Sequence, residues 1–343
     1  MVSPDAVLEN WKGMVDDDFE VTIRTAFDLP PVDDYVYAAE SFQMTLAQVQ
    51  ESMATGMLTW NYWSPDHPPQ RIPIPDSDVT AYTSIFSPTT DTAKSLKSFE
   101  ANAKKSSPRA LISSYLNSRR LVPSDLKIPK SKQHLNPYYD IWTWSCLKCH
   151  FIGPTNDSSY AHPTNAKRTH PMLPILYHHF GCVCPSYEAL SVISYACNRV
   201  KSDGVLDMAS GNGFWTYMLR RHGVKCVAVD NMEAKWRYMW IDDTIKANGV
   251  TYLKQNNGAQ NQVLLMVYMV TRGDFTKQVL KAYKGSVIVI AGTQNANRFT
   301  SFGDVTVEEY FAKDMPSWEL AVRVALPSFA GKDEGLFVYE RKK

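Results

Sequence analysis

The chain has 343 residues, more than one average domain, and its 44% hydrophobic and 21% charged content is that of a globular enzyme. A formal net charge of +1 supplies no bulk field to recruit nucleic acid or an anionic membrane, so neither is expected as a partner. No stretch reaches the roughly 18 apolar residues of a membrane helix. The N-terminus lacks a basic segment followed by an apolar run, and the six cysteines read as reduced thiols, so a cytoplasmic or nuclear protein is expected.

Residues 1–170 read as a mainly helical accessory region with exposed connectors, capping a second domain at 171–343. Leu46, Val49, Met53 and Met57 recur at helical spacing and predict one apolar face. Ser64–Pro75 is proline-punctuated and reads as a loop. Residues 102–136, rich in Lys, Ser and Pro, predict an exposed connector around a short helix near Pro108–Leu116. Tyr138, Tyr139, Trp142 and Trp144 then form an aromatic group suited to the core between the two parts.

From Pro185 the pattern changes. SYEALSVISYACNRV predicts an amphipathic helix, GVLDMA a short buried strand, GFWTYMLRRHG a helix stopped by Gly223, and KCVAVD a second strand. VLLMVYMV and SVIVIAG are all-apolar runs, as parallel strands covered on both faces require, with the helix FTKQVLKAYKG between them. WELAVRVALPSF and GLFVYER close the chain as paired antiparallel strands. The alternation predicts a doubly wound α/β sheet.

The chemistry concentrates at Val205–Gly213, VLDMASGNG, where a strand ends at Asp207 and a helix begins near Phe214. Gly211 and Gly213 let backbone approach a ligand, and the helix start offers unpaired N–H groups. A dinucleotide would place its diphosphate there. However, the third glycine of that pattern is Thr216, and the carboxylate of Asp207 would repel an anion while favouring a cationic sulfonium with an α-amino group. Asp230 ends the next strand, where an acid accepts ribose hydroxyls.

These residues carry a resemblance. VLDMASGNGFWTYMLRR followed by AVDN is similar to class I S-adenosylmethionine-dependent methyltransferases. With HHFGCVCPSYEAL, AVDNMEAKWR, GTQNANRFTSFGD and LPSFAGKDEGLFVYER, the chain from Pro171 onward most resembles a group of largely uncharacterised, mostly fungal methyltransferase-like proteins. The resemblance implies a Rossmann-like methyltransferase sheet of order 3-2-1-4-5-7-6 with the last strand antiparallel. It also implies S-adenosylmethionine as cofactor, with Asp207, Ala209, Gly211 and Gly213 at its methionine end, Asp230 at the ribose, and Asn231 and Asn248 toward the adenosine. Two departures stand out. Ala209 replaces the first loop glycine, and Val267-Tyr268-Met269-Val270 replaces the Asp/Asn-Pro-Pro-aromatic signature of many amino-methylating enzymes. The expected activity is therefore methyl transfer to a small-molecule or protein nucleophile, with a binding or regulatory module lacking catalysis as the alternative.

His178 and His179 precede the domain and are the candidate general bases, weighed against a plain helix-entry turn. Cys146 and Cys149, with Cys182 and Cys184, have the ligand types for a zinc site. The competing reading is four free cysteines packed as small hydrophobes.

Overall fold

The computed structural model describes residues 2–31, 37–39, 42–54, 74–154, 172–233, 237–269, 274–294, 302–303, 305–329 and 332–342. In the first half lie α1 (Pro4–Asn10), α2 (Phe19–Phe27), a hairpin of β1 (Tyr37–Ala39) and β2 (Phe42–Met44), α3 (Leu46–Ala54), α4 (Asp76–Thr83), α5 (Thr92–Ala101), α6 (Pro108–Arg119), α7 (Pro137–Lys148) and α8 (Leu173–His179). Three of these helices start on the same local device. Ser3, Ser107 and Asn136 each accept a backbone N–H as N-cap, and the proline that follows has a φ already suited to a first turn. Leu46, Val49 and Met53 are buried along α3 as their spacing predicts; Met57 lies outside the described residues.

The second half runs α9 (Tyr187–Val200), β3 (Val205–Met208), α10 (Phe214–Arg221), β4 (Cys226–Asp230), β5 (Ile245–Lys246), α11 (Gly249–Gln255), β6 (Val263–Val267), α12 (Phe275–Ala282), β7 (Val287–Thr293), α13 (Val307–Asp314), β8 (Trp318–Ala325) and β9 (Glu334–Arg341). The strands β3 to β9 form one seven-stranded sheet of order β5-β4-β3-β6-β7-β9-β8. Numbered from its own first strand, that is the expected 3-2-1-4-5-7-6. β9 runs antiparallel to both its neighbours, and the other pairings are parallel.

Alternate side chains of the buried strands feed two cores. Val205, Val263, Leu265, Val287 and Val289 face one side, with α9, α10 and the apolar residues of the N-terminal helices. Leu206, Met208, Leu264, Met266, Ile288 and Ile290 face the other, with α11, α12 and α13. The N-terminal helices are thus a further layer on one face of the sheet, sharing its core from Val7 to Val338. Trp142, fully buried in α7, donates its indole N–H to the Ser328 carbonyl (3.1 Å).

Residues 102–136 are mostly exposed or half-buried around the short helix α6, as their composition predicts, and that helix buries its inner face. α6 buries Ile112, Ser113 and Leu116, and it buries Arg109, whose guanidinium bonds the Phe99 carbonyl (2.7 Å) and Asp78 (2.7 Å). Leu121 then exchanges two backbone hydrogen bonds with Arg323 of β8, at 2.9 and 2.8 Å.

Candidate functional site

A cavity of about 440 Å³ opens at the C-terminal ends of β3, β4 and β6, where ligands bind in open α/β sheets. Its lining includes Asp207, Ala209, Ser210, Gly211 and Asn212 from the loop after β3, and Asp230, Asn231, Glu233 and Arg237 from the end of β4 onward. Asn248 and Gly249 at the start of α11, Tyr268 and Met269 after β6, and Phe275 of α12 close another side, and Gly181 and Cys182 a third. None of the described lining residues comes from α1 to α7.

Asp207 is 1% exposed. One carboxyl oxygen accepts the Thr216 hydroxyl (2.7 Å), while the other, Oδ1, is buried with no hydrogen-bond partner among the described residues. Burial pushes its pKa up to about 7, against the opposing pull of Thr216. Asp230 turns its carboxylate back on the loop, accepting the Gly211 N–H (3.0 Å) and the Met232 N–H (2.7 Å). Those bonds fix its orientation and leave further lone pairs. Asn248 Oδ1 caps α11, accepting from Val250 and Thr251 at 3.1 Å each. Asn231 Oδ1 accepts from Glu233 N (3.2 Å).

The loop is left-handed at three residues: Ala209 (φ +57°), Gly211 (+58°) and Gly213 (+77°). Ala209 therefore takes the backbone of the glycine it replaces and bears the strain. The two glycines answer to the protein itself as well as to a ligand. A Cβ on Gly211 would lie 2.8 Å from Arg237 Nη1, and one on Gly213 would lie 2.4 Å from Ile241 Cγ1. The chain after β4 doubles back over the loop: at Gly213 a side chain would run into Ile241, whereas at Gly211 the obstacle is the flexible end of Arg237. Gly249 is equally constrained, since a Cβ there would meet Met208 Sδ at 2.3 Å.

Of the expected cofactor residues, Asp207, Ala209, Gly211, Asp230, Asn231 and Asn248 all line the cavity; Gly213 sits just behind as the N-cap of α10. The histidines do not line it. His179 is buried and stacked on Phe27 (centroids 3.9 Å), its pKa driven well below the ordinary value by burial. Burial, then the neighbouring Arg237, lowers His178 to about 4. Their carbonyls are structural: His178 O accepts the Tyr238 N–H (3.1 Å), and His179 O accepts the Asn212 side chain (3.2 Å) and the Trp240 indole. The residues directly after the pair, Phe180, Gly181 and Cys182, do line the cavity. Among the described residues no three His, Cys, Asp or Glu side chains are grouped to hold a metal, so Cys146, Cys149, Cys182 and Cys184 do not assemble a zinc site. Cys146, Cys149 and Cys184 are buried thiols outside any disulfide.

Arg237, Glu233, Gly249 and Phe275 carried no recognisable sequence signal for the cavity. Only Gly249, directly after the cap residue Asn248, stood where a close helix–strand approach could have been suspected.

Near this cavity but not lining it lies a second polar group. Lys332, Asp333 and Glu334 are all buried at the start of β9. Asp333 accepts from Gln294 Nε2 (3.0 Å) and from the Tyr115 hydroxyl of α6. Lys332 Nζ donates to Tyr177, lies over the Tyr177 and Tyr268 rings (4.9 and 4.8 Å), and is 4.0 Å from Glu334 Oε1. Burial pushes both acids up to about 7.

No family model and no curated protein matches the sequence. Solved structures similar to part of the chain include the methyltransferase domain of bacterial CtHen1, at 10% identity over 44% of this chain and 96% of that one, TM-score 0.33. The O-methyltransferase TomG from Streptomyces achromogenes, in complex with SAM, is similar at 10% identity over 47% and 82%, TM-score 0.31. Ribosomal protein L11 methylase from Lactobacillus delbrueckii subsp. bulgaricus is similar at 14% identity over 47% and 82%, TM-score 0.28. What the site does is read from its own residues.

Proposed function

We propose that the protein is an S-adenosylmethionine-dependent methyltransferase acting on a small-molecule or protein nucleophile. The observation that carries this reading is the buried, unpartnered Oδ1 of Asp207, a residue that lines the cavity at the switch point of a 3-2-1-4-5-7-6 sheet. An orphaned buried acceptor needs a donor. The α-ammonium of a methionine-derived cofactor supplies one, and a diphosphate does not. Bound there, the cofactor would supply an electrophilic sulfonium methyl. Asp207 holds the ammonium and Asp230 takes the ribose hydroxyls on its remaining lone pairs. Asn231 lies on the adenosine side, as does Asn248, whose side-chain N–H₂ group stays available when its oxygen caps α11. Phe275 and Met269 provide apolar wall for the adenine. The loop's contribution to catalysis is to hold the donor in one geometry for an in-line attack.

The reading kept beside this one is a binding module without transfer, and it is favoured by the absence of any histidine from the cavity lining among the described residues. Calorimetric titration with S-adenosylmethionine, S-adenosylhomocysteine and NAD tests the cofactor. The first two should bind and stabilise the fold, by about 2.7 kcal/mol at a hundredfold excess over Kd, and NAD should do neither. No binding of either sulfur nucleoside at millimolar concentration would sink the proposal. Incubation with methyl-labelled cofactor and cell extract then separates transfer from binding alone.

A further inference from the structure

The segment that follows β4 is stitched onto the glycine loop rather than continuing away from it. Trp240 N–H donates to the Asn212 carbonyl (2.9 Å), Tyr238 N–H to the His178 carbonyl (3.1 Å), and the Tyr238 hydroxyl to the Val2 carbonyl (2.8 Å). Tyr238 and Trp240 are themselves buried, Tyr238 against Phe27 and Trp240 against Phe180 and Phe214. This anchoring delivers Arg237 to the loop, where its Nη1 occupies the space that a side chain on Gly211 would need. Arg237 is the only lysine or arginine among the described lining residues, against three acids: Asp207, Asp230 and Glu233.

We propose that Arg237 is a carboxylate clamp, pairing with the α-carboxylate at the amino-acid end of the cofactor. The inference rests on the cofactor reading above and adds a specificity-determining residue to it. The α-ammonium and α-carboxylate of an amino acid share one carbon, so a tail whose ammonium meets Asp207 must set its carboxylate close by. Asp207 and Gly211 belong to one tight turn, and Arg237 lies on that turn. A carboxylate brought into a cavity with three acids needs a cation, and a guanidinium offers a planar fork that matches its two oxygens. A phosphate ligand would also seek the guanidinium, but the three acids around it oppose a polyanion. His178, held near 4 by burial and by Arg237, stays uncharged around neutral pH and adds no second cation.

The test compares two ligands that differ only beyond the thioether. S-adenosylhomocysteine carries the amino-acid tail, and 5′-methylthioadenosine lacks it. Calorimetry on the full chain should show Arg237→Gln weakening S-adenosylhomocysteine at least tenfold, with Arg237→Lys intermediate and methylthioadenosine within twofold of the parent protein for both. Unliganded melting temperatures verify that both variants fold, and Arg237→Lys keeps the test alive if Arg237→Gln does not. Equal losses for the two ligands, or no loss for either, would overturn the clamp while leaving the cofactor reading intact. Arginine-dependent binding of NAD would overturn it in favour of a phosphate. A parent protein that binds neither sulfur nucleoside removes both inferences together.

Discussion

Two sets of buried acids sit at the cavity end of the sheet, and their surroundings give them opposite roles. Asp207 and Asp333 are both fully enclosed and both pushed up to about 7. Asp333 spends its two oxygens on Tyr115 and Gln294, tying the N-terminal layer to the sheet. Asp207, a residue of the cavity lining, spends one on Thr216 and keeps the other unmatched among the described residues. Burial and a raised pKa alone therefore do not mark a ligand site; an unmatched lone pair on a residue that lines a cavity does. Glu334 tests the rule from the other side. Its oxygens also lack hydrogen-bond partners, but Lys332 stands 4.0 Å away and the residue does not line the cavity.

The largest expected effect probes that last case. Lys332→Met leaves Glu334 buried beside no cation, which should cost about 3–5 kcal/mol of stability at pH 8, measured by urea unfolding. The deficit should shrink below pH 7 as Glu334 protonates. Cofactor affinity of the remaining folded protein should hold. A collapse of affinity with stability intact would move Lys332 into the site and break the contrast.

Asp230→Ala comes next. Loss of a charge-assisted bond to ribose should weaken S-adenosylhomocysteine by about 1.5–3 kcal/mol. Some stability is lost too, because the Gly211 and Met232 N–H groups lose their acceptor.

The pH dependence separates the two sets further. Asp207, Asp333 and Glu334 have folded pKa values near 7, above unfolded values of about 4. The native state therefore holds more protons between those limits. The stability these groups contribute is full below about pH 4 and is lost as pH rises through about 7. The melting temperature of the free protein should fall from pH 5 to pH 8. Cofactor affinity should run the opposite way, rising through pH 7 as Asp207 ionises to meet the ammonium. Asp207→Asn should flatten the affinity profile and remove one share of the stability slope, whereas Asp333→Asn should change only the stability slope. Matching effects of the two substitutions on affinity would erase the distinction drawn here.

The smallest effect is at Ala209. Its φ of +57° suits glycine, but glycine also frees the unfolded chain, so Ala209→Gly should change stability by less than about 1 kcal/mol. A larger gain would show the loop to be more strained than its geometry suggests.

What could be read in the sequence follows the range of the interactions. Strand-end acids and the glycine loop are local patterns, and they pointed to Asp207, Gly211 and Asp230, which line the cavity; the strand order was legible only through the family resemblance. Arg237 reaches the loop only because the chain doubles back through Tyr238 and Trp240, and no periodicity encodes that return. The same return engages His178 and His179 through carbonyls that hold the returning segment, and backbone roles leave no trace in residue type. Within 102–136 composition announced the exposed flanks but not the ties of Arg109 and Tyr115, whose partners only the fold supplies.

The exchange of hydrogen bonds between Leu121 and Arg323 bears on solubility. β8 is the outermost strand on its side of the sheet, and a bare strand edge is a template for adding another chain. Leu121 occupies part of that edge, and Arg323 is clamped there by Glu308 and by the Arg119 carbonyl. The helices of the first half also cover an entire apolar face. A fragment beginning near residue 171 would uncover the edge and the face at once, and would be expected to self-associate rather than to stand as an isolated catalytic domain.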